Sequence, residues 1–318
     1  MTLLDIPENP APNGAVTGML TTRDGARVRW ARWRTTATRR LGTVCVFQGR
    51  GEFIEKYFEV VGDLRRRGFA VATMDWRGQG GSERLRSNPR KSHIGSFAQY
   101  DRDLAAFLEH VVLPDCPPPH YALAHSTGAT VLLRAATRRP NRFERMVFSA
   151  PLISLADHSM PSHAARILVE ALCWVGLSGT FVPRSGGARP TSAIPFENNP
   201  YTSDRNRFER TAAISATAPN LAVGAPTFGW LSAALRAMRG LNEADFPTSV
   251  SIPILLVAAG DDRIVSNPAI EQLALQLKAG KHIVLPGARH EILMERDGLR
   301  EQFWAAFDAF VPGETALS

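Results

Sequence analysis

A mostly parallel, doubly wound α/β fold carrying an insertion is what the sequence predicts, and three observations lead there. Short β-rich apolar runs alternate with helical stretches from Thr43 to Ser149, the alternation stops between Leu152 and Val250, and it resumes from Ile252 to Phe310. Strands buried on both faces read as continuous apolar runs, and alternation with helices implies a parallel sheet covered on both sides. With 318 residues the chain is long enough to bury one large core and to carry an inserted unit.

Taken in order, Ala26–Trp33 alternates Arg with apolar residues, the two-residue period of a half-buried antiparallel strand, and is the expected sheet edge. Thr43–Phe47 (TVCVF) is the first wholly apolar run; Gln48-Gly49-Arg50-Gly51 and an amphipathic stretch through Arg67 make it strand, loop, helix. Phe69–Met74 repeats the pattern and ends in a loop, Asp75–Ser92. Helical spacing covers His93–Val112, His120–Ala124 reads as a strand, Thr127–Arg138 as a helix and Arg145–Ser149 as a strand. Past Pro151 come apolar helical segments at Ala164–Val175 and Leu221–Met238, then the strand Ile252–Ala258, the helix Pro268–Leu277, the strand Lys281–Leu285 and a last helix, Leu299–Phe310. The expected division is a core of residues 1–151 and 250–318 with residues 152–249 inserted.

Composition narrows the function classes. Hydrophobic residues at 44% and charged residues at 21%, with Gly and Pro scattered, describe a folded globular chain and argue against extended disorder. The net charge of +7 is almost all arginine, since Lys56, Lys91, Lys278 and Lys281 are the only lysines. No Arg run is interleaved with aromatics as a nucleic-acid stacking platform requires, so nucleic acid is not an expected partner. Cys45, Cys116 and Cys173 are odd in number and lack metal-ligand spacing, which points away from a disulfide framework and a zinc site and towards a reducing cytoplasm. Residues 1–14 lack the basic start and apolar run of a signal peptide. The longest apolar stretch, Ile167–Val182, is broken by Glu170 and two glycines and is too short for a bilayer. The expectation is a soluble cytoplasmic protein with room for peripheral contact at an anionic inner-membrane surface.

The sharpest local signal is Ala124-His125-Ser126-Thr127-Gly128, lying between an expected strand and an expected helix. A tight turn there lifts Ser126 above the end of the sheet, and small residues two before and two after let the strand and helix pass. Alone the phrase also suits an ordinary turn with an N-capping serine. Order along the chain argues for chemistry. A serine needs an imidazole to take its proton, and the imidazole needs a carboxylate to orient it. Ile252–Ala258 is followed by Asp261-Asp262, and Lys281–Leu285 by Pro286-Gly287-Ala288-Arg289-His290. Asp262, which precedes a short apolar turn (Arg263-Ile264-Val265), is favoured over Asp261, whose alternative role is loop capping or solvation. His125 reads as a wall residue of the turn. His93, His110, His120, His158, His163 and His282 lack a glycine-rich post-strand setting and read as surface or satisfied core histidines.

A tetrahedral oxyanion needs two fixed N–H donors. One comes from the residue after the nucleophile, Thr127. The other is expected from the loop after the second strand, where flanking glycines let the Arg50 amide turn inward; the plain alternative there is a strand–helix turn. No HExxH or GxxxxGK[ST] phrase occurs, and Arg77-Gly78-Gln79-Gly80-Gly81-Ser82 lacks dinucleotide spacing, so no metal and no cofactor is expected.

With these residues placed, the chain resembles the α/β-hydrolases, and more narrowly the bacterial lysophospholipase and monoacylglycerol lipase group. The resemblance runs from about Asp24 to Phe310. It rests on Gln48-Gly49-Arg50-Gly51-Glu52 where the group reads HGxGE, on Asp75–Ser82 (DWRGQGGS) where it reads DxRGxGxS, on His290-Glu291-Ile292-Leu293 where it reads HExL, and on Ala225–Trp230 (APTFGW), similar to a cap-segment phrase. Gln48 replaces a histidine and Ala124 a glycine. The resemblance implies that residues 152–249 form a cap over Ser126, and that the enzyme cleaves the acyl ester of a single-chain lipid through an acyl-enzyme. Lysophospholipid is the favoured small-molecule substrate and monoacylglycerol or a general carboxylic ester the alternative. An excess of bases between Arg77 and Lys91 is a candidate contact for phosphate head groups or an anionic membrane; the plain alternatives are a solvated face and, for Arg77, a structural ion-pair partner. Two other classes remain open: a proline-iminopeptidase-like peptidase, which an acidic cap cluster would favour, and a non-catalytic binding protein. With eight Arg against seven acids, residues 152–249 are near neutral and lack such a cluster.

Overall fold

In the computed structural model, which describes residues 2–156, 163–183, 185–190 and 193–311, eight strands form one sheet. They are β1 (Val16–Thr21), β2 (Arg27–Trp33), β3 (Thr43–Phe47), β4 (Ala70–Met74), β5 (His120–His125), β6 (Arg145–Ser149), β7 (Ile254–Ala259) and β8 (Gly280–Leu285), in the spatial order β1-β2-β4-β3-β5-β6-β7-β8. From β4 through β8 neighbours run parallel, while β1 and β2 are antiparallel additions. Every residue of β3, β4 and β7 is buried, which accounts for their unbroken apolar sequences. Each large aliphatic or aromatic side chain so buried stabilises the fold by roughly 1.5–3 kcal/mol.

The edge lies one strand further out than expected. Val16–Thr21 pairs with β2 from Val16↔Arg32 to Thr21↔Arg27, so Ala26–Trp33 is an inner strand. The sequence VTGMLT has no clean two-residue period because only Leu20 of its residues is buried.

The helices are α1 (Phe58–Arg66), α2 (Phe97–Phe107), α3 (Leu113–Asp115), α4 (Thr127–Ala136), α5 (His163–Trp174), α6 (Arg205–Thr217), α7 (Phe228–Leu241), α8 (Phe246–Ser249), α9 (Asn267–Gln276) and α10 (Asp297–Phe310). The helical spacing read from His93 begins only at Phe97, where Ser96 and Gln99 form a capping box. The segment expected as helix from Leu221 likewise begins late, at Phe228: Gly224 and Pro226 keep the chain extended, and the Thr227 side chain caps the first turn by accepting from the Trp230 amide. Helix α6 has no apolar stripe to betray it; its charges Arg207 and Arg210 pair with Glu59 of α1 instead. One continuous apolar core runs beneath the sheet and into α7, with Phe47 packed between Trp76, Phe107 and Phe143. The parallel strands all point their C-terminal ends the same way, and the loops after β3, β5, β7 and β8 therefore share one rim.

Candidate active site

The turn after β5 is tight for a physical reason. A methyl group at Gly128 would stand 2.6 Å from the Phe47 carbonyl oxygen and 2.7 Å from that of Gln48, so the first turn of α4 lies directly against the end of β3. Ala124, in contrast, sits buried within β5, and its methyl fits. Ser126 takes φ 48° and ψ −112°, a positive-φ conformation outside the left-handed helical well that a serine adopts at a cost of about 1–3 kcal/mol. Although it occupies the N-cap position, its side chain caps no amide. Its Oγ lies 3.1 Å from Nε2 of His290, whose Nδ1 lies 2.8 Å from Oδ2 of Asp262. The other Asp262 oxygen accepts from the Ile264 and Val265 amides at 2.8 and 3.1 Å. Burial would raise the Asp262 pKa, but the His290 ring and these two amides outweigh it and hold the group below the usual carboxylate range. Asp261 is exposed, and its amide donates to Ala288.

Loop 48–52 approaches the same serine: a Cβ on Gly49 would stand 3.3 Å from Cβ of Ser126 and 2.9 Å from Nδ1 of His125. The Gly49 amide donates to Glu52 and the Gly51 amide to Gln79, while the Arg50 and Thr127 amides donate to no protein acceptor among the described residues. Gln48 is buried beside Thr73 and does not line the cavity, so this departure from the family phrase leaves the serine's surroundings intact.

Residues 75–82 turn out to be the frame of this loop. Gln79 Nε2 donates to the carbonyls of Gly49 and Glu52, and Trp76 Nε1 to that of Gln48. Asp75 accepts from Arg29 and from the Ile54 and Gly81 amides. Glycine is needed at position 80, where φ is +55° and a Cβ would strike the Asp75 carboxylate at 2.1 Å. Family likeness marked this phrase, but its role in shaping loop 48–52 was not visible in the sequence.

A buried polar cluster beside the serine was also missed. His125, expected only as a wall, sets Nδ1 3.0 Å from Glu52 Oε2 and Nε2 3.3 Å from the His290 carbonyl oxygen. Glu52 also accepts from Tyr57 and Lys56, and Lys56 bridges to Glu291 at 2.6 Å. Burial alone would lower the His125 pKa, but the Glu52 carboxylate offsets this and raises it. The spacing Glu52-x-x-x-Lys56 was the available signal.

The bases between Arg77 and Lys91 have partners within the protein, Lys91 lying over the Phe181 ring. Arg77 is buried and paired with Asp24 and Asp103; Arg84 and Arg90 donate to the carbonyls of Asn220 and Ala222; Arg86 meets His93 and Ser178. His120 bonds the Cys116 carbonyl, and His158 lies outside the described residues.

Ser126, His290, Arg50 and Thr127 line a cavity of about 850 Å³, completed by side chains of residues 152–249 that include Tyr201, Phe208, Trp230 and Met238. Both lining acids are ion-paired with Lys56, and Glu52 also bonds His125. Among the described residues no group of three or more His, Cys, Asp or Glu side chains is placed to hold a metal ion.

Residues 38–297 match the family described as serine aminopeptidase, S33. The chain is 33% identical over 291 residues to lysophospholipase L2 of Escherichia coli K12, covering 87% of this chain and 82% of that protein. It is 26% identical over 292 residues to the monoglyceride lipase of Rattus norvegicus, covering 87% of each. Among solved structures, a soluble variant of monoglyceride lipase from Saccharomyces cerevisiae superposes with a TM-score of 0.73 at 20% identity, over 93% of this chain and 96% of that one. The fold is thus that of the α/β-hydrolases, and the chain belongs to the serine aminopeptidase S33 family.

Proposed function

We propose that this protein is a serine hydrolase that cleaves the acyl ester of a single-chain lipid, with lysophospholipid as the preferred substrate and monoacylglycerol second. The hydrogen-bonded series from Ser126 through His290 to Asp262 is the observation that carries the reading. His290 Nε2 takes the Ser126 proton as Oγ attacks the ester carbonyl, and Asp262 orients the ring and stabilises the imidazolium that forms. The Arg50 and Thr127 amides receive the oxyanion, each lowering the barrier by about 3 kcal/mol. His290 then protonates the departing alcohol, and water activated by the same imidazole releases the fatty acid. No step calls for a cofactor.

Residues 152–249 act in this scheme as a cap whose apolar side chains receive the acyl chain. The pairing of both lining acids weighs against a peptidase, because a substrate amine would find no free carboxylate among the described lining residues. Relatives named lysophospholipase and monoglyceride lipase support the ester reading. We place the protein at the cytoplasmic periphery of a membrane. Trp174 and Val175, at the end of α5, are 89% and 71% exposed and form an apolar face suited to a lipid surface. No helix among the described residues is long and apolar enough to cross one. Unpaired Cys45, Cys116 and Cys173 favour a reducing compartment.

A fluorophosphonate probe should label the wild type and fail on Ser126→Ala, whose kcat on a lysophospholipid should fall roughly 10⁵-fold or more. Absence of wild-type labelling would leave a binding protein. Faster turnover of Pro-amides than of lipid esters would restore the peptidase.

A further inference from the structure

We propose that the Arg50 guanidinium is the receptor for the phosphate of the substrate's head group, so that the residue whose amide meets the acyl carbonyl also reads the far end of the glycerol. The inference rests on the hydrolase reading above and assigns its head-group subsite.

The first support is charge. Arg50 lines the cavity, yet no carboxylate lies within ion-pair distance of it among the described residues. Its partners are the Gly224 carbonyl, which accepts from Nη1 at 3.0 Å, and the face of Trp230, 5.5 Å from the guanidinium carbon. A cation withdrawn from bulk water without a counter-ion is costly, and burial lowers its pKa. An incoming anion relieves that cost. Glu52 and Glu291 are both ion-paired with Lys56, and Glu52 acts on Arg50 only through space.

Geometry is the second. Nη1 donates to Gly224 and the guanidinium carbon lies 5.5 Å over the Trp230 ring, so the group is held at two points, and its remaining N–H donors find no protein acceptor among the described residues. A planar fork of this kind matches two phosphate oxygens. The bonds from the Arg50 amide to its guanidinium are comparable in number to those from an acyl carbonyl through glycerol to phosphorus. Arg50 and Ser126 line the same cavity, and in this proposal the amide and guanidinium of Arg50 meet the two ends of a lysophospholipid. A third support is the pairing of Lys56 with Glu52 and Glu291, which leaves Arg50 and the exposed Arg263 as the lining arginine and lysine side chains without an acid partner among the described residues.

Ether analogues test this because they are not hydrolysed. Binding of a 1-O-alkylglycerol phosphate and of the matching neutral 1-O-alkylglycerol would be measured by calorimetry below their micelle concentrations. The wild type should bind the phosphate ether about tenfold more tightly. Arg50→Gln should abolish that preference, Arg50→Lys should retain only part of it, and Arg263→Gln should keep it, since an exposed charge is screened. Equal affinities in the wild type overturn the proposal whether or not the variants fold, as does a preference that survives Arg50→Gln with an unchanged circular dichroism spectrum. Inorganic phosphate should displace the phosphate ether only weakly; equal potency would assign the guanidinium to a free anion instead. If the wild type shows no preference but Ser126 still takes the fluorophosphonate, the head-group assignment fails alone. If Ser126 is also unlabelled, the hydrolase reading fails with it.

Discussion

Ser126, His290 and Asp262 come from residues 126 to 290 of the chain and meet within 3.1 Å. Because Asp262 selects the tautomer that leaves Nε2 free to accept, Asp262→Asn should lower kcat by about 10⁴ while leaving the fold and KM nearly unchanged. Glu52 acts one step back. It fixes the Gly49 amide and, through His125, reaches the His290 carbonyl, so it holds two sides of the site together. Glu52→Gln removes the charge that balances Lys56 and His125, and kcat should drop at least tenfold with the melting temperature also lowered. Measuring kcat against pH separates the effects: a variant in which His125 titrates nearer its ordinary range should show a profile displaced from that of the wild type.

At the scale of the element, the turn between β5 and α4 tolerates a methyl on one side and not on the other. Ala124→Gly should change stability by only about 0.5–1 kcal/mol, mainly through backbone entropy. Gly128→Ala must push α4 away from the Phe47 and Gln48 carbonyls and should cost about 1–3 kcal/mol and most of the activity, read by chemical denaturation and by ester turnover. The start of α7 is equally specific. Thr227 caps that helix and also bonds His93, whose ring accepts from Arg86 on its other side. Buried beside Arg86, His93 is held neutral, with its pKa pushed down to about 4. An unfolded histidine near 6.5 binds a proton that the folded one refuses, so stability should fall as pH drops from about 6.5 to 4. Urea unfolding across that range should show the loss, and His93→Gln should flatten it.

Across the whole molecule, α7 shares the apolar core of the sheet, while α6 is also tied to α1 and α10 by polar contacts. Glu59 on α1 receives Arg207 and Arg210 from α6 and Arg300 from α10, and Arg300 also reaches Asp63. Burial opposes its ionisation, but the arginines prevail and hold Glu59 at about 2. Its contribution to stability is therefore complete above the ordinary glutamate value and is lost as pH falls towards 2. Glu59→Gln leaves three guanidinium groups without their shared carboxylate. It should destabilise by about 1–3 kcal/mol, since the site is partly wet, and amide hydrogen exchange should find α6 loosening first.

What the sequence determined by itself is whatever local pattern enforces: buried strands as apolar runs, the serine on a tight turn, the acid and histidine each just past a later strand. Those features depend on short-range sterics and on burial, and both leave a periodic trace. The tertiary structure alone decided which bases are free and which are tied. It chose for Arg77 the ion-pair role that the sequence offered as an alternative, turned Arg84 and Arg90 onto backbone carbonyls, joined His125 to Glu52 and left Arg50 without an acid. It also made Val16–Thr21 the sheet edge and held α6 by its charges. Such outcomes depend on partners tens to hundreds of residues away, and the strength of a charge in a protein is set by those partners and by the water they exclude, neither of which is written in local sequence.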